Sequence, residues 1–312
     1  MIASCGRNQE WRHGHPMSFE QLSPYIRAAY DSVLSPGWVI TERVIFDFEL
    51  LYVKDGKADV TIEDRKFTAV PGDIFLFKPK QPHSIVVARD MPFHQPHIHF
   101  DLYQREDSPN IRINFHRLED LPPDELTLFR EDVISGAPFH LPNIIKLRNP
   151  LSFEKMFFDV IKEYEMKIPF YETNIKGLFI QLLVYLIREN YWNNNPLVYS
   201  NLEELIRIQN YLNHNNDREV TLDELARYSN ISKYYLIRLF KNAFGMSPIQ
   251  YHQLVRFERA KELIQFTRLP LTEIAERVGF HSIHSFSRAF KNIVGHSPSF
   301  YRKKESKLPR DE

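Results

Sequence analysis

Two stretches that repeat one pattern decide the fold of the C-terminal third. Residues 221–251 are TLDELARYSNISKYYLIRLFKNAFGMSPIQY, and residues 270–301 are PLTEIAERVGFHSIHSFSRAFKNIVGHSPSFY. Aligned at an offset of 49 residues and then, after one inserted residue, of 50, they share the pattern R-x-F-K-N-x-x-G-x-S-P-x-x-Y. Agreement of this length at a fixed offset indicates an internal duplication.

Each copy predicts a helix, a tight turn and a second helix. Thr221 and Glu224 have the spacing of a capping box, which predicts the start of a short first helix. The turn is expected at Asn230 in one copy and Gly279 in the other, because both residue types tolerate the left-handed backbone. A Gly-x-Ser-Pro segment then marks the end of each second helix. A helix at 249–266 is expected to join the two copies.

The face of each second helix opposite its apolar stripe carries the side chains expected to contact DNA. Arg238 and Arg288 hold the same inner position, and an arginine can bridge two acceptors of guanine. A solvated charged face is the alternative for a single helix, but the repetition favours DNA. The predicted DNA-binding residues are Ser232, Lys233, Tyr234, Tyr235, Ile237, Arg238, Lys241, Ile283, His284, Ser285, Ser287, Arg288 and Lys291.

These motifs closely resemble the DNA-binding domain of AraC/XylS transcription regulators. The resemblance rests on ISKYYLIRLFK at 231–241 and on IA, GF, FSRAFK, GHSP and YR, in that order, within 274–302. It implies that the first recognition helix carries sequence readout and that the second contacts bases or backbone. Ile237 and Ile283 depart from the polar residues often found there, so they either touch thymine methyl groups or leave those positions unread.

Composition and charge agree with a DNA-binding domain beside a second, different domain. Residues 203–312 carry 18 Lys and Arg against 13 Asp and Glu, whereas residues 1–202 carry 22 against 27. A mildly basic segment suits a polyanionic partner. The single cysteine, Cys5, fits a reducing compartment. No apolar run has the length of a membrane span and the N-terminus does not resemble a signal peptide, so a cytoplasmic protein without membrane contact is expected.

Residues 38–116 predict short strands. Asp55-Gly56 is a hairpin signal, and Val70 to Asp73 form a second turn before an apolar strand. The segment PGDIFLFKPKQPH, residues 71–83, resembles the cupin half of AraC-type regulators, in which a barrel holds a small effector, often a sugar. The expected fold is therefore an α+β two-domain protein. An N-terminal cupin-like β-barrel with two following helices precedes a C-terminal all-α tandem helix-turn-helix domain.

The histidines of this region leave three interpretations open. His97 and His99 share a face of a predicted strand, and with His83 they have the donors for a divalent metal. The glutamate that usually follows a His-x-His pair in metal-binding cupins is missing here. Contact with a polar effector is favoured, structural histidines are the other alternative, and no metal or cofactor is expected. The predicted ligand-binding residues are Trp38, Arg43, His83, Gln95, His97 and His99.

Two amphipathic helices are expected after the barrel. The resemblance implies that one of them forms a homodimer contact, and packing on the barrel is the alternative. The predicted dimer residues are Ile175, Leu178, Phe179, Leu182 and Leu186. The expected boundaries are an N-terminal arm at 1–37, the effector and dimerisation domain at 38–192, a linker at 193–201, the DNA-binding domain at 202–304 and a tail at 305–312.

These patterns favour an effector-responsive transcription regulator that binds double-stranded DNA, more often activating than repressing. The resemblance also implies a contact with RNA polymerase. Two other functions are weighed: a metal-dependent cupin enzyme fused to a DNA-binding domain, and an architectural DNA-binding protein without an effector. No arrangement of catalytic Ser, His and Asp, phosphate-binding glycine loop or zinc-type cysteine spacing is found, so a non-enzymatic protein is expected.

Overall fold

The computed structural model describes residues 21–136 and 141–305. Residues 1–20 of the predicted arm and residues 306–312 of the predicted tail lie outside the described residues. The chain divides into two compact units between Asn194 and Asn195. Among the described helices, none combines the length and the apolar character needed to cross a membrane.

The first unit is built on β-strands. Their bounds are β1 Tyr25–Tyr30, β2 Val33–Leu34, β3 Val39–Arg43, β4 Phe48–Tyr52, β5 Ala58–Ile62, β6 Arg65–Ala69, β7 Ile74–Phe77, β8 His83–Val87, β9 Phe93–His94, β10 His97–Asp101 and β11 Ile144–Ile145. They form a five-stranded sheet in the order β1-β10-β4-β7-β11, a four-stranded sheet in the order β3-β8-β5-β6, and the pair β2-β9. This is the predicted β-rich half of a two-domain α+β protein.

The five-stranded sheet is buried on both faces, which explains why its central strands are so apolar. In β4, Leu50 contributes to a core shared with the following helices, and Leu51 faces the core between the two large sheets. β5 lies at the surface and alternates buried and exposed residues. The barrel interior is therefore enclosed by β4 and β7 on one side and β5 and β8 on the other.

Two long helices, α1 Pro150–Met166 and α2 Tyr171–Asn194, cover the outer face of the five-stranded sheet. The predicted dimer residues Ile175, Phe179, Leu182 and Leu186 are buried in this unit's own core, and Leu178 packs against it. Phe179 lies 4.5 Å from Phe100, ring centroid to centroid. The prediction that this stripe forms a dimer contact is wrong, because the barrel already covers it.

Two predicted boundaries also need correction. The arm was expected to reach residue 37, yet Tyr25–Tyr30 and Val33–Leu34 are strands, and β1 pairs with β10. The linker was expected at 193–201, but α2 continues to Asn194 and a further helix, α3, spans Pro196–Tyr199. Pro196 stands at the first position of α3, where a proline needs no N–H partner. A polar, proline-containing stretch therefore starts a helix here.

The second unit is helical. Its helices after α3 are α4 Leu202–His214, α5 Leu222–Ser229, α6 Lys233–Phe244, α7 Pro248–Phe266, α8 Leu271–Arg277, α9 Ile283–Val294 and α10 Pro298–Glu305. The pairs α5–α6 and α8–α9 are the two helix-turn-helix copies. α7 joins them, as the repeat predicts.

Candidate functional site

Local sequence signals set the ends of the first helix-turn-helix copy. The Thr221 hydroxyl accepts the Glu224 N–H, and Asn230 ends α5 with a φ of 53°. Gly245 ends α6 with a φ of 74°. The predicted capping box is only half formed, because the Glu224 carboxylate accepts hydrogen bonds from Arg218 and Tyr211 instead of the Thr221 backbone. A complete capping box lies two elements later, between Ser247 and Gln250 at the start of α7.

The second copy has the same helices with different caps, because Pro270 makes no side-chain cap at α8, whereas Ser282 caps α9 and Ser232 does not cap α6. Ser282 starts α9 by accepting the Ser285 N–H, and Gly295 ends it with a φ of 89°. The hydroxyl of Ser285 donates to the carbonyl of Ser282 at 2.9 Å. Ser285 is therefore used within the cap, which explains its presence there without a DNA contact.

Most of the predicted DNA-binding side chains lie on the exposed sides of α6 and α9. Tyr234 is 89% exposed, and the Arg238 guanidinium lies 5.6 Å from the ring centroid of Tyr235. Ile283 instead packs against the apolar core beside α9, which explains an apolar residue at that position. The exposed residues of the predicted set are Ser232, Lys233, Tyr234, Arg238, Lys241, His284, Ser285, Arg288 and Lys291, and the half-buried ones are Tyr235, Ile237, Ile283 and Ser287.

The cations on these helices differ in their intramolecular partners. Lys233 forms an ion pair with Asp223 at 2.5 Å. Within residues 21–136 and 141–305, no ion pair occupies Arg238, Lys241, Arg288 or Lys291. A guanidinium without a carboxylate partner loses no ion pair when it contacts a base or a phosphate, so this surface is suited to a polyanion.

Two residues that the sequence did not identify as functional hold the copies together. Arg256 of α7 is buried and donates to the carbonyls of Val278 and Gly279, each at 2.7 Å. Its guanidinium also lies 4.3 Å from the ring centroid of Phe280. A side chain at Gly279 would meet the Arg218 backbone, since its Cβ would lie 2.6 Å from the Arg218 Cα. The linking helix thus anchors the second turn directly, and Gly279 allows a close approach to the loop before α5.

The barrel interior contains the second group of candidate residues. Arg43 of β3 donates from Nη2 to Glu49 Oε2 at 2.8 Å and from Nε to His83 Nε2 at 3.2 Å. His99 lies opposite Glu49 in the pairing of β10 with β4, with 3.6 Å between Nε2 and Oε2. Four of the six predicted ligand-binding residues, Arg43, His83, His97 and His99, therefore lie around Glu49.

The other two predicted ligand-binding residues behave differently. Trp38 is 54% exposed at the turn before β3 and is not buried as Arg43, His83 and His99 are, so its contact with a ligand stays a prediction. Gln95 is buried, and its backbone carbonyl accepts a hydrogen bond from Nδ1 of His97 at 3.2 Å. Gln95 thus orients a histidine through its main chain.

Burial and neighbouring charge shift the pKa values of this group apart. Burial alone would raise the pKa of Glu49, but the positive charges of His99 and Arg43 outweigh it and lower the pKa to about 2. Burial lowers the pKa of His83 to about 4 and also lowers the pKa of His97. Burial opposes the charged form of His99 as well, but Glu49 and Asp47 outweigh it and raise the pKa. At neutral pH, Glu49 is ionised and His83 and His97 are neutral.

A second buried network lies beside the histidines. Arg27 donates to Asp47 at 2.8 Å and to Asp101 at 2.9 Å, and Arg130 donates to Asp101 at 3.0 Å. Asp47 joins both groups, because its other oxygen accepts from His99 at 3.2 Å. Asp101 shares the strand parity of the histidines, but its carboxylate is held by these arginines.

Sequence reasoning missed Glu49, although a signal was present. The segment Phe46-Asp-Phe-Glu-Leu-Leu-Tyr52 places two acidic residues, Asp47 and Glu49, two positions apart inside an apolar strand. Ionised carboxylates are rarely buried without a partner, so this spacing predicts a polar group on the interior face. The glutamate beside His99 belongs to the paired strand β4 and does not follow the His-x-His pair along the chain.

Comparisons with known proteins agree with both units. Residues 225–304 match the family described as "Helix-turn-helix domain", and residues 33–133 match "AraC-like ligand binding domain". The HTH-type transcriptional regulator YisR of Bacillus subtilis is 27% identical over 281 residues, which are 90% of this chain and 94% of YisR. The transposon Tn10 TetD protein of Escherichia coli is 34% identical over 93 residues, which are 30% of this chain and 67% of TetD.

Among solved structures, the C-terminal domain of AraT, a response regulator from Geobacillus stearothermophilus, is 40% identical to the matching part of this chain. The match covers 32% of this chain and 84% of that domain, with a TM-score of 0.31.

Proposed function

Because this chain belongs to the AraC family of transcriptional regulators, we propose that it reads operator DNA with α6 and α9 and responds to a small polar molecule in its barrel. Activation is the more favoured outcome of that response. A protein with this function acts in the cytoplasm, where the bacterial chromosome lies. Regulation follows if the ligand shifts the population of states in which the DNA-binding unit is presented.

The observation that carries the DNA-binding part is the repetition of one exposed cationic pattern. Arg238 and Lys241 on α6 correspond to Arg288 and Lys291 on α9, and all four are exposed. Helices of this kind enter the major groove, where an arginine discriminates guanine and lysines contact phosphate. Adjacent grooves on one side of the duplex are about 34 Å apart, so one operator is expected to span both helices.

The ligand part rests on the polar half of the barrel interior. Arg43, His83, His97 and His99 supply donors and acceptors of the kind that bind hydroxyl or carboxylate groups. A sugar is one ligand with such groups. We expect the effector to raise the melting temperature of the original chain but not that of His97→Ala. An equal rise for both proteins would contradict this site.

We extend the proposal to a homodimer that contacts RNA polymerase. The dimer surface is not the buried stripe of α2, so other parts of the chain must form it. Sedimentation equilibrium of the full chain tests the dimer, and a monomer at all concentrations would contradict it.

The direct test of the function is selection of genomic fragments by the purified full chain at near-physiological salt, since salt sets the ratio of specific to non-specific binding. Enrichment of a common site beside a small set of genes is expected. Recovery of fragments without a shared sequence, with and without candidate sugars, would contradict sequence-specific regulation.

A further inference from the structure

Three potential metal ligands converge inside the barrel. Glu49, His97 and His99 each offer one ligand atom, and these atoms all lie within 4.8 Å of one another. Glu49 and His99 are direct partners across β4 and β10, and His97 lies two residues along the same face. The glutamate that was missing after the His-x-His pair is thus supplied by the neighbouring strand.

Hydrogen bonds orient both imidazoles toward Glu49. Nδ1 of His97 contacts the Gln95 carbonyl, and Nδ1 of His99 contacts the Asp47 carboxylate, each at 3.2 Å. These oxygens only accept hydrogen bonds, so Nδ1 carries a proton in each ring. Nε2 is then the ligand atom, and a metal ion displaces any proton that this atom holds. Metal-bound histidines usually donate their other ring N–H to a carboxylate or carbonyl in this way.

Carboxylates lie on both sides of His99, that of Glu49 at Nε2 and that of Asp47 at Nδ1. Arg43 donates to only one oxygen of Glu49, Oε2. His83 is outside the set, because its Nε2 accepts from Arg43. The triad weighed as the metal alternative in the sequence, His83 with His97 and His99, is therefore replaced by one that contains Glu49, although the sequence favoured no metal.

The distances require only a small closure. Two atoms that are each about 2.1 Å from a tetrahedral ion lie about 3.4 Å apart. The 3.6 Å between His99 Nε2 and Glu49 Oε2 is already near this value, and Oε2 keeps a lone pair besides the one that accepts from Arg43. His97 is half-buried, which leaves a path from the surface for the ion.

We propose that Glu49, His97 and His99 bind one divalent first-row transition metal ion inside the barrel. Two imidazoles and one carboxylate suit zinc or ferrous iron and leave coordination positions open. A polar effector can then bind through those open positions. The site does not depend on the DNA-binding surface, so either proposal can fail without the other.

The test uses the tag-free full chain, stripped of metal and titrated separately with Zn²⁺ and Co²⁺. The expected result is one ion per chain, with visible absorption bands for bound Co²⁺. His97→Ala and Glu49→Gln are expected to weaken binding about a hundredfold or more. The control His116→Ala removes an exposed histidine outside the cluster and is expected to bind as the original chain does.

Two results would overturn the proposal. One is a titration in which the folded original chain takes up no more Zn²⁺ than His97→Ala. The other is a Co²⁺ spectrum that is the same in His97→Ala as in the original chain. Both results use His97→Ala, so misfolding of Glu49→Gln cannot hide a failure.

Discussion

At the scale of single residues, Gly279 determines how closely the second helix-turn-helix copy approaches the loop before α5. Its φ is 76°, and the Cβ of any other residue would lie under 3 Å from three backbone atoms of Arg218. Backbone atoms cannot move aside as the end of a flexible side chain can. Sequence repetition predicted a turn here, but the close approach depends on a partner about sixty residues earlier in the chain.

We predict that Gly279→Ala lowers the free energy of unfolding of the helical unit by more than about 3 kcal/mol, from left-handed strain and the backbone clash together. Gly295→Ala is the matched control, because Gly295 has a φ of 89° but nothing within 4 Å of its Cβ position. Only the strain of about 1–2 kcal/mol is expected there. Urea denaturation of both variants measures the two losses of unfolding free energy. Equal losses would show that the close contact with the Arg218 backbone adds nothing to the cost of the substitution.

Arg238 and Lys241 are expected to contribute to DNA binding in different ways. Arg238→Ala should weaken binding to the operator by about 1–3 kcal/mol and leave random DNA nearly unaffected. Lys241→Ala should weaken both and reduce the salt slope by about one. Arg259→Ala, which removes an exposed arginine paired with Glu262 on α7, is the control. Equal losses on operator and random DNA for Arg238→Ala would rule out base readout by this side chain.

At the scale of elements, α2 shows what an amphipathic pattern leaves open. The stripe at Ile175, Phe179 and Leu182 predicted a buried face, and the structure confirms that it is buried. Periodicity does not identify what covers such a face, and here the cover is the five-stranded sheet. The role of Glu49 was missed for a related reason. Glu49 and His99 are fifty residues apart in the chain and become neighbours only when β4 pairs with β10.

Phe179→Ala is therefore expected to destabilise the barrel unit by about 3–5 kcal/mol without changing the oligomeric state. Phe170→Ala, at a position 87% exposed, is expected to change stability by less than about 0.5 kcal/mol. Thermal unfolding and sedimentation of the two variants separate the effects. A Phe179→Ala chain that keeps its stability but changes its association would restore the dimer interpretation.

The helix-turn-helix copies were predictable because their signals are local. Caps, turn residues and apolar spacing all lie within one copy, and the repeat confirmed each signal twice. β1 falls within the segment expected to be an arm, and Arg27 interrupts its apolar pattern. The Arg27 side chain is buried there because Asp47, just before β4, and Asp101 of β10 pair with it. Local patterns do not contain such partners.

At the scale of the whole molecule, the two units have separate hydrophobic cores. We predict two thermal unfolding transitions. Operator DNA should raise the midpoint temperature of only the transition that belongs to residues 195–312. Trp38 and Trp192 lie in the barrel unit, and the third tryptophan, Trp11, lies outside the described residues, so the tryptophan fluorescence of a Trp11→Phe chain follows the barrel unit while circular dichroism reports mainly the helices. A single transition in both signals, shifted as a whole by DNA, would contradict independent cores.

The central claim is that α6 and α9 read one operator in successive major grooves. Its most direct test is to measure the binding of the original chain, Arg238→Ala and Arg288→Ala to every single-base variant of the selected operator. We predict that each arginine variant loses discrimination at one cluster of base pairs and that the two clusters lie about 10 base pairs apart. Uniform weakening across all positions, or loss at the same positions in both variants, would contradict the claim.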